Sequence, residues 1–161
     1  MLEMHAWRDA LITIGVGRLH CFLAHLLRLG PEERLQRFCH RADDAWLHAY
    51  VAGLDLARGQ IIGCFEAEEM RAAAELRALG AAPLRGVEAA FSVEKGWGGQ
   101  GLERALIMRA ITAARSMGAR QLFLDRLGAS EALRRTIAQF DADMVFGDDD
   151  CRAWLPLTTL R

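Results

Sequence analysis

Stretches with the apolar spacing of helices alternate along the chain with stretches that carry the shorter apolar pattern of strands. Residues 10–16 predict a first strand. In "GRLHCFLAHLLRLG", Leu19, Phe22, Leu23, Leu26 and Leu27 fall on one side of a helix, and Gly30 is a good stop signal. "PEERLQRF" starts a second helix, with Pro31 in its first turn and two acids at the positive end of the dipole. "DDAWLHAYVAGLD" continues as helix, capped by Asp43 or Asp44. The period then changes: "GQIIGCFEAE" and "EMRAAAELRALG" predict a hairpin and "GVEAAFSVE" a further strand, although "RAAAELRAL" alone suits a helix equally well. From Leu102 to Ala114 the pattern is helical, ending near Gly118. "RQLFLDRL" reads as a strand, "SEALRRTIAQF" as a helix capped by Ser130, and "MVFGDDDCRAWLPL" as two strands around an acidic turn. This order predicts an α+β protein, a mixed sheet with helices packed on it.

Composition narrows the function classes. A chain of 161 residues, 52% hydrophobic and 25% charged, is one domain, spanning 1–161, with enough apolar surface for a core. A net charge of -1 provides no basic field for nucleic acid or anionic lipid. Cys21, Cys39, Cys64 and Cys151 are widely spaced, which fits buried free thiols in a reduced cytoplasmic protein. His20 and His25 are five apart and do not share a helix face, so no metal site is expected. "ALITIGVG" is too short to span a bilayer and lacks a cleavage site after it.

The chemistry centres on residues 94–106, "EKGWGGQGLERAL", between a strand and the long helix. Gly96-x-Gly98-x-x-Gly101 has the spacing of a dinucleotide turn, where glycines let the backbone approach a phosphate and the helix N-terminus faces it. The context excludes that turn. Glu94 and Lys95 separate strand from loop, Asp125 lies too far from Gly101 to be the ribose acid, and too few elements follow for a doubly wound sheet. A P-loop fails too, because Leu102-Glu103 stands where Lys-Ser/Thr would follow the glycine.

The segment "VEAAFSVEKGWGGQGLERALIMRAITAARSMGARQLFLDRL" resembles the core of the GNAT acyltransferase superfamily: a strand, a Gln/Arg-x-x-Gly-x-Gly/Ala loop, a long helix, a glycine and another strand. "SEALRRTIAQFDADMVF" is similar to the helix and strand that follow, and "LRLGPEERLQRF" to the helical pair of a bacterial subgroup. The resemblance implies a central mixed, mostly antiparallel sheet flanked by helices. It implies acetyl-CoA or another acyl-CoA as cofactor, with the pyrophosphate held by main-chain N–H groups of Gly98, Gly99, Gln100, Gly101, Leu102, Glu103 and Arg104. Phe91, Ser92 and Val93, on a strand that splays from its neighbour, would pair with the pantetheine arm. The acceptor would be a small-molecule or peptide amine, acylated by direct transfer in a ternary complex. An exposed sheet edge makes a homodimer plausible.

Several matched positions depart from the pattern. Gly98 replaces the opening Gln or Arg, and Glu103 the closing Gly/Ala. Ile137 replaces a tyrosine that protonates the departing thiolate in many members, and Ser130 matches a nearby asparagine. As a first-turn acid, Glu103 would favour the helix by ~0.3–1 kcal/mol. About 4 Å from a phosphate, its carboxylate would be repelled by roughly 4 kcal/mol at an intermediate dielectric. Weak CoA binding is therefore expected unless that side chain turns outward. Glu88 is the candidate general base, since many relatives carry a catalytic glutamate on this strand and apolar neighbours would suit it to the task; Glu75 is its substitute. Ser130 or a water is the candidate acid. Arg34, Arg37 and Phe38 fall where an acceptor pocket is often built, with a solvated helix face the simpler account. Trp97 is expected to pack near the helix start, Trp46, Tyr50 and Trp154 in the core, and Asp148, Asp149 and Asp150 in a polar turn. The rival function is a catalytically impaired domain of this fold, a CoA sensor or interaction module.

Overall fold

The computed structural model describes Trp7, residues 10–81, 86–125, Leu127, 131–147 and 151–157. Strand β1 (Leu11–Ile14) and a short 3-10 turn lead into helices α1 (Leu19–Arg28), α2 (Pro31–Phe38) and α3 (Asp44–Ala52). Three long strands follow, β2 (Gly59–Glu66), β3 (Glu69–Leu79) and β4 (Gly86–Val93). The chain continues through α4 (Leu102–Ser116), β5 (Gln121–Leu124), α5 (Glu131–Ile137), β6 (Asp143–Phe146) and β7 (Cys151–Pro156). The strands form one seven-stranded sheet of order β1-β2-β3-β4-β5-β7-β6. All neighbours are antiparallel except β4 and β5, whose parallel pairing requires a crossover that α4 supplies. This is the mixed, mostly antiparallel sheet flanked by helices that the sequence predicts.

Each face of the sheet buries its own core. On one side Leu102, Leu106, Ile107 and Ala110 of α4, with Leu133 and Ile137 of α5, pack on Ala72, Ala74 and Leu76 of β3. On the other, Phe22 and Leu26 of α1 and Leu47 and Val51 of α3 pack on Ile61, Met70 and Ala73. This arrangement explains why "RAAAELRAL" is a strand. Its alanines lie mid-sheet between two helical layers, where small side chains allow close approach from both sides and burial outweighs helix propensity.

Local signals fare unevenly. Asp43, not Asp44, caps α3, accepting the Trp46 N–H at 2.7 Å. Trp46 is more exposed than a core residue, yet it stacks on Tyr50 at 5.0 Å and meets Phe38 edge-on. Cys64 and Cys151 are buried, whereas Cys39 is exposed where α2 ends in a left-handed turn. The Asp148–Asp150 turn lies outside the described residues. Among the described residues, no helix is long and apolar enough to cross a membrane, and no acid, histidine and cysteine group could hold a metal.

Candidate functional site

The sheet opens at its centre. β4 pairs with β3 along its whole length but meets β5 only through Val87, Glu88 and Ala89. β5 ends at Leu124 while β4 runs on to Val93, so the two strands part beyond Ala89. The Glu94 N–H donates to the Arg71 carbonyl at 3.0 Å. Antiparallel alternation then turns the Ala90 and Ser92 peptide groups toward β3 and those of Phe91 and Val93 toward the gap. Phe91 and Val93 thus offer backbone there. Ser92 offers its side chain instead.

The gap continues into a cavity of about 260 Å³ lined by Phe91, Ser92, Val93, Glu94, Gly98 and Glu103, with Arg37 of α2 on one side and Leu133 of α5 on another. The loop beneath it is built on left-handed backbone: φ is 88° at Gly96, 89° at Gly99 and 82° at Gly101. Glycine adopts these values without steric cost. Leu102 N–H donates to the Gly99 carbonyl and Ala105 N–H to that of Gly101, which fixes the start of α4. The Trp7 indole N–H closes the outer side on the Gln100 carbonyl.

Glu103 does not turn outward. It is buried, and its Oε1 and Oε2 accept the Gly99 N–H at 2.9 and 3.0 Å. A Cβ on Gly98 would lie 2.9 Å from Oε1, so this glycine provides the room the carboxylate uses. A carboxylate of the chain itself therefore holds one of the loop donors. The neighbouring Arg104 guanidinium donates to Gln139 Oε1 at 2.5 Å and lies over the Phe140 ring.

Beside the cavity lies a polar cluster inside the core. His25 of α1 is fully buried, its Nε2 2.8 Å from Ser92 Oγ and its Nδ1 3.1 Å from Glu94 Oε1. Glu94 also accepts from Arg28 Nε at 2.8 Å and from an Arg71 guanidinium nitrogen at 3.2 Å. Burial pulls the His25 pKa below its ordinary 6.5, outweighing the hydrogen bond and charge of Glu94, and Arg28 and Arg37 add to the lowering. Burial pushes Glu94 upward, but hydrogen bonds from His25 and Arg28 leave its pKa below 4.5. A carboxylate only accepts, so neutral His25 carries its proton on Nδ1 and presents the Nε2 lone pair to the Ser92 hydroxyl.

Comparison with known proteins settles the family. The acetyltransferase (GNAT) family matches residues 18–139, most of the chain. The chain belongs to the GNAT family. The fold is similar to the GNAT domain of the S. lividans PAT, with a TM-score of 0.75 at 20% identity over 91% of this chain and 89% of that one. It is also similar to yncA of Salmonella typhimurium, solved with its cofactor acetyl-CoA, with a TM-score of 0.68 at 15% identity over 94% and 95% of the two chains. The PaiA N-acetyltransferase of Thermoplasma acidophilum, in complex with coenzyme A, gives 0.60 at 9% over 91% and 98%. No curated protein matches the sequence.

The remaining candidates take their places around this GNAT core. Glu88 is half-buried on β4, opposite Arg77, whose guanidinium it accepts at 2.5 Å. An ion pair, not the expected apolar surroundings, therefore holds the proposed base, which faces Phe123 below the point where the strands part. Glu75 is part-buried, held by the Arg37 guanidinium at 2.5 Å and by the Tyr50 hydroxyl at 2.8 Å from both oxygens. Arg37 is thus no solvated helix residue. Neither is Arg34, which donates to the Leu27, Leu29 and Ala42 carbonyls and holds the α1–α2 turn. Trp97 lies beneath the Arg71 guanidinium, 5.3 Å from its centre. Ile137, which the sequence resemblance sets against the family's tyrosine, is fully buried in the α4 core. Ser130 lies outside the described residues.

Sequence reasoning missed the His25 cluster. One signal was present: Ser92 and Glu94 are two apart, a spacing that puts strand side chains on one face. Nothing in the sequence marked His25, which sits among apolar neighbours on α1, as their partner.

Proposed function

We propose that the protein is an N-acyltransferase that moves an acetyl or other acyl group from coenzyme A to a small-molecule or peptide amine, by direct attack in a ternary complex. The observation that supports this reading is the parting of β4 from β5 after Ala89, which leaves the Phe91 and Val93 peptide groups facing a cavity that reaches the glycine loop. The thioester arm would lie along that open edge, with its pyrophosphate at the amides from Gly98 to Arg104 and the positive end of α4. For the pyrophosphate to approach, the Glu103 carboxylate must leave Gly99 or share it. Glu88 remains the candidate base, with Arg77 as its partner. Ser130 or a water would protonate the thiolate. A second copy could pair along β6, where Val145 and Phe146 are exposed at the end of the sheet.

The decisive experiment combines calorimetry with acetyl-CoA and thiol release over a panel of amines. Binding together with amine-dependent release supports the enzyme; absence of both removes it. A second reading, a catalytically impaired GNAT domain that senses CoA, draws on the loop amide held by Glu103 and on Ile137 at the tyrosine position. That reading predicts acetyl-CoA binding without thiol release.

A further inference from the structure

Ser92, His25 and Glu94 form a hydroxyl, an imidazole and a carboxylate in hydrogen-bonded series, at 2.8 and 3.1 Å. A nucleophile within reach of a base, which a third group orients in turn, is the arrangement that activates a serine. Each link here has the required polarity. Glu94 is anchored as a carboxylate by Arg28 and Arg71, so it accepts the hydrogen bond from Nδ1–H and leaves Nε2 as an acceptor. Ser92 and Glu94 both line the cavity, and His25 lies behind them in the core, shielded from water. The serine also adjoins the open strand edge, where the Phe91 and Val93 amides could hold a developing oxyanion.

We propose that Ser92 is an acyl-accepting nucleophile, with His25 as its base and Glu94 as the positioning residue, giving the protein a hydrolytic activity toward acyl-CoA when no amine is bound. The proposal rests on the acyl-CoA reading above for its donor. Ser92 Oγ forms a bond to the thioester carbonyl carbon while its proton passes to His25 Nε2. The carbon–sulfur bond breaks, the thiolate takes the proton from Nε2, and free CoA leaves a serine ester. Water then attacks the ester carbon, giving its proton to Nε2. Nε2 returns that proton to Ser92 Oγ as the carboxylic acid departs. No oxidant or metal is needed. When an amine occupies the acceptor side, its direct attack on the thioester competes with Ser92.

The test uses two donors, acetyl-CoA and p-nitrophenyl acetate, the second of which needs no nucleotide site. After incubation without amine, acid quench and digestion, mass spectrometry should find one acetyl group on the peptide carrying Ser92 with each donor. Thiol release should fall by about 10²–10⁴-fold in His25→Gln, and labelling should vanish in Ser92→Ala. Ser92→Cys keeps the side-chain shape and should carry the acetyl group as a thioester that neutral hydroxylamine removes. Labelling by the ester but not by acetyl-CoA, with no acetyl-CoA binding in calorimetry, overturns the donor and the proposed function with it. Failure of both donors to label a protein that binds acetyl-CoA overturns the nucleophile and leaves that function standing. Thiol release unchanged in Ser92→Ala also overturns it.

Discussion

Glu103 returns its carboxylate to the Gly99 N–H, four residues back, at 2.9 and 3.0 Å. The first turn of α4 thereby satisfies one of its own loop donors with its own anion, at a helix N-terminus that favours negative charge. In the acyl-CoA reading proposed above, a cofactor phosphate would use the same donor, and loop order and ligand affinity would be set against each other.

The first prediction follows from this opposition. Glu103→Gly should bind acetyl-CoA at least about tenfold more tightly, a conservative share of the roughly 4 kcal/mol that two charges 4 Å apart exert at an intermediate dielectric. The variant should also melt lower, because glycine in a helix costs about 1 kcal/mol relative to alanine and the Gly99 contact is lost. Calorimetry and a thermal melt measure both, and equal affinities would remove the competition.

Glu88→Gln tests the proposed base. If Glu88 takes the proton of the amine, kcat should drop by roughly 10²–10⁴-fold with acetyl-CoA affinity unchanged. If it only pairs with Arg77, kcat will stay put and a small change in stability will be all that appears.

Acid should weaken the fold through His25. Its folded pKa lies below the ordinary 6.5, so the unfolded chain binds a proton that the folded one refuses. The stability from keeping His25 neutral is complete above 6.5 and is lost as pH falls from there toward the lower folded value. The groups facing the ring are Glu94, Ser92, Arg28 and Arg37. Glu94, lowered as well, adds a second loss below 4.5, as pH falls through its own folded value. Unfolding free energies from urea should hold level between pH 8 and pH 6.5 and decline below that with a slope of at most one proton, about 1.4 kcal/mol per pH unit. His25→Gln should flatten that slope.

Tyr50 provides an optical probe, because it is the only tyrosine in the chain. Burial, followed by the neighbouring Glu75 carboxylate, raises its pKa from 10.0 to about 12 against the opposing pull of Arg37. Tyrosinate absorption should therefore appear near 12 in the folded protein and near 10 in urea. Ionisation near 10 in the folded state would show that the hydroxyl is not buried beside Glu75.

Arg37→Met should destabilise by about 3 kcal/mol in urea unfolding, because it leaves the Glu75 carboxylate, only 10% exposed, with Tyr50 alone. A cost below about 1 kcal/mol would mean that the pair behaves as an exposed one.

Patterns set by neighbours along the chain were legible in the sequence. The α4 stripe, the strand pair at the C-terminal end and the glycine loop each rest on periodicity or on backbone freedom. The "RAAAELRAL" stretch was ambiguous because alanine suits a helix as well as a tightly sandwiched strand, and only its two helical layers decide between them. For Glu103, charge arithmetic named the conflict with a phosphate but could not say where the carboxylate points. Arg34 and Arg37 read as surface cations because nothing local shows that carbonyls and Glu75 await them.

The sequence by itself determined the family, the order of elements and the loop on which the proposed cofactor chemistry would rest, since these follow from spacings within tens of residues. Tertiary structure alone decided that β4 leaves β5 after Ala89, that Glu103 folds back on Gly99, and that His25 meets Ser92 and Glu94 across 67 and 69 residues. A contact of that range is fixed by the packing of α1 on the sheet. No local propensity encodes it.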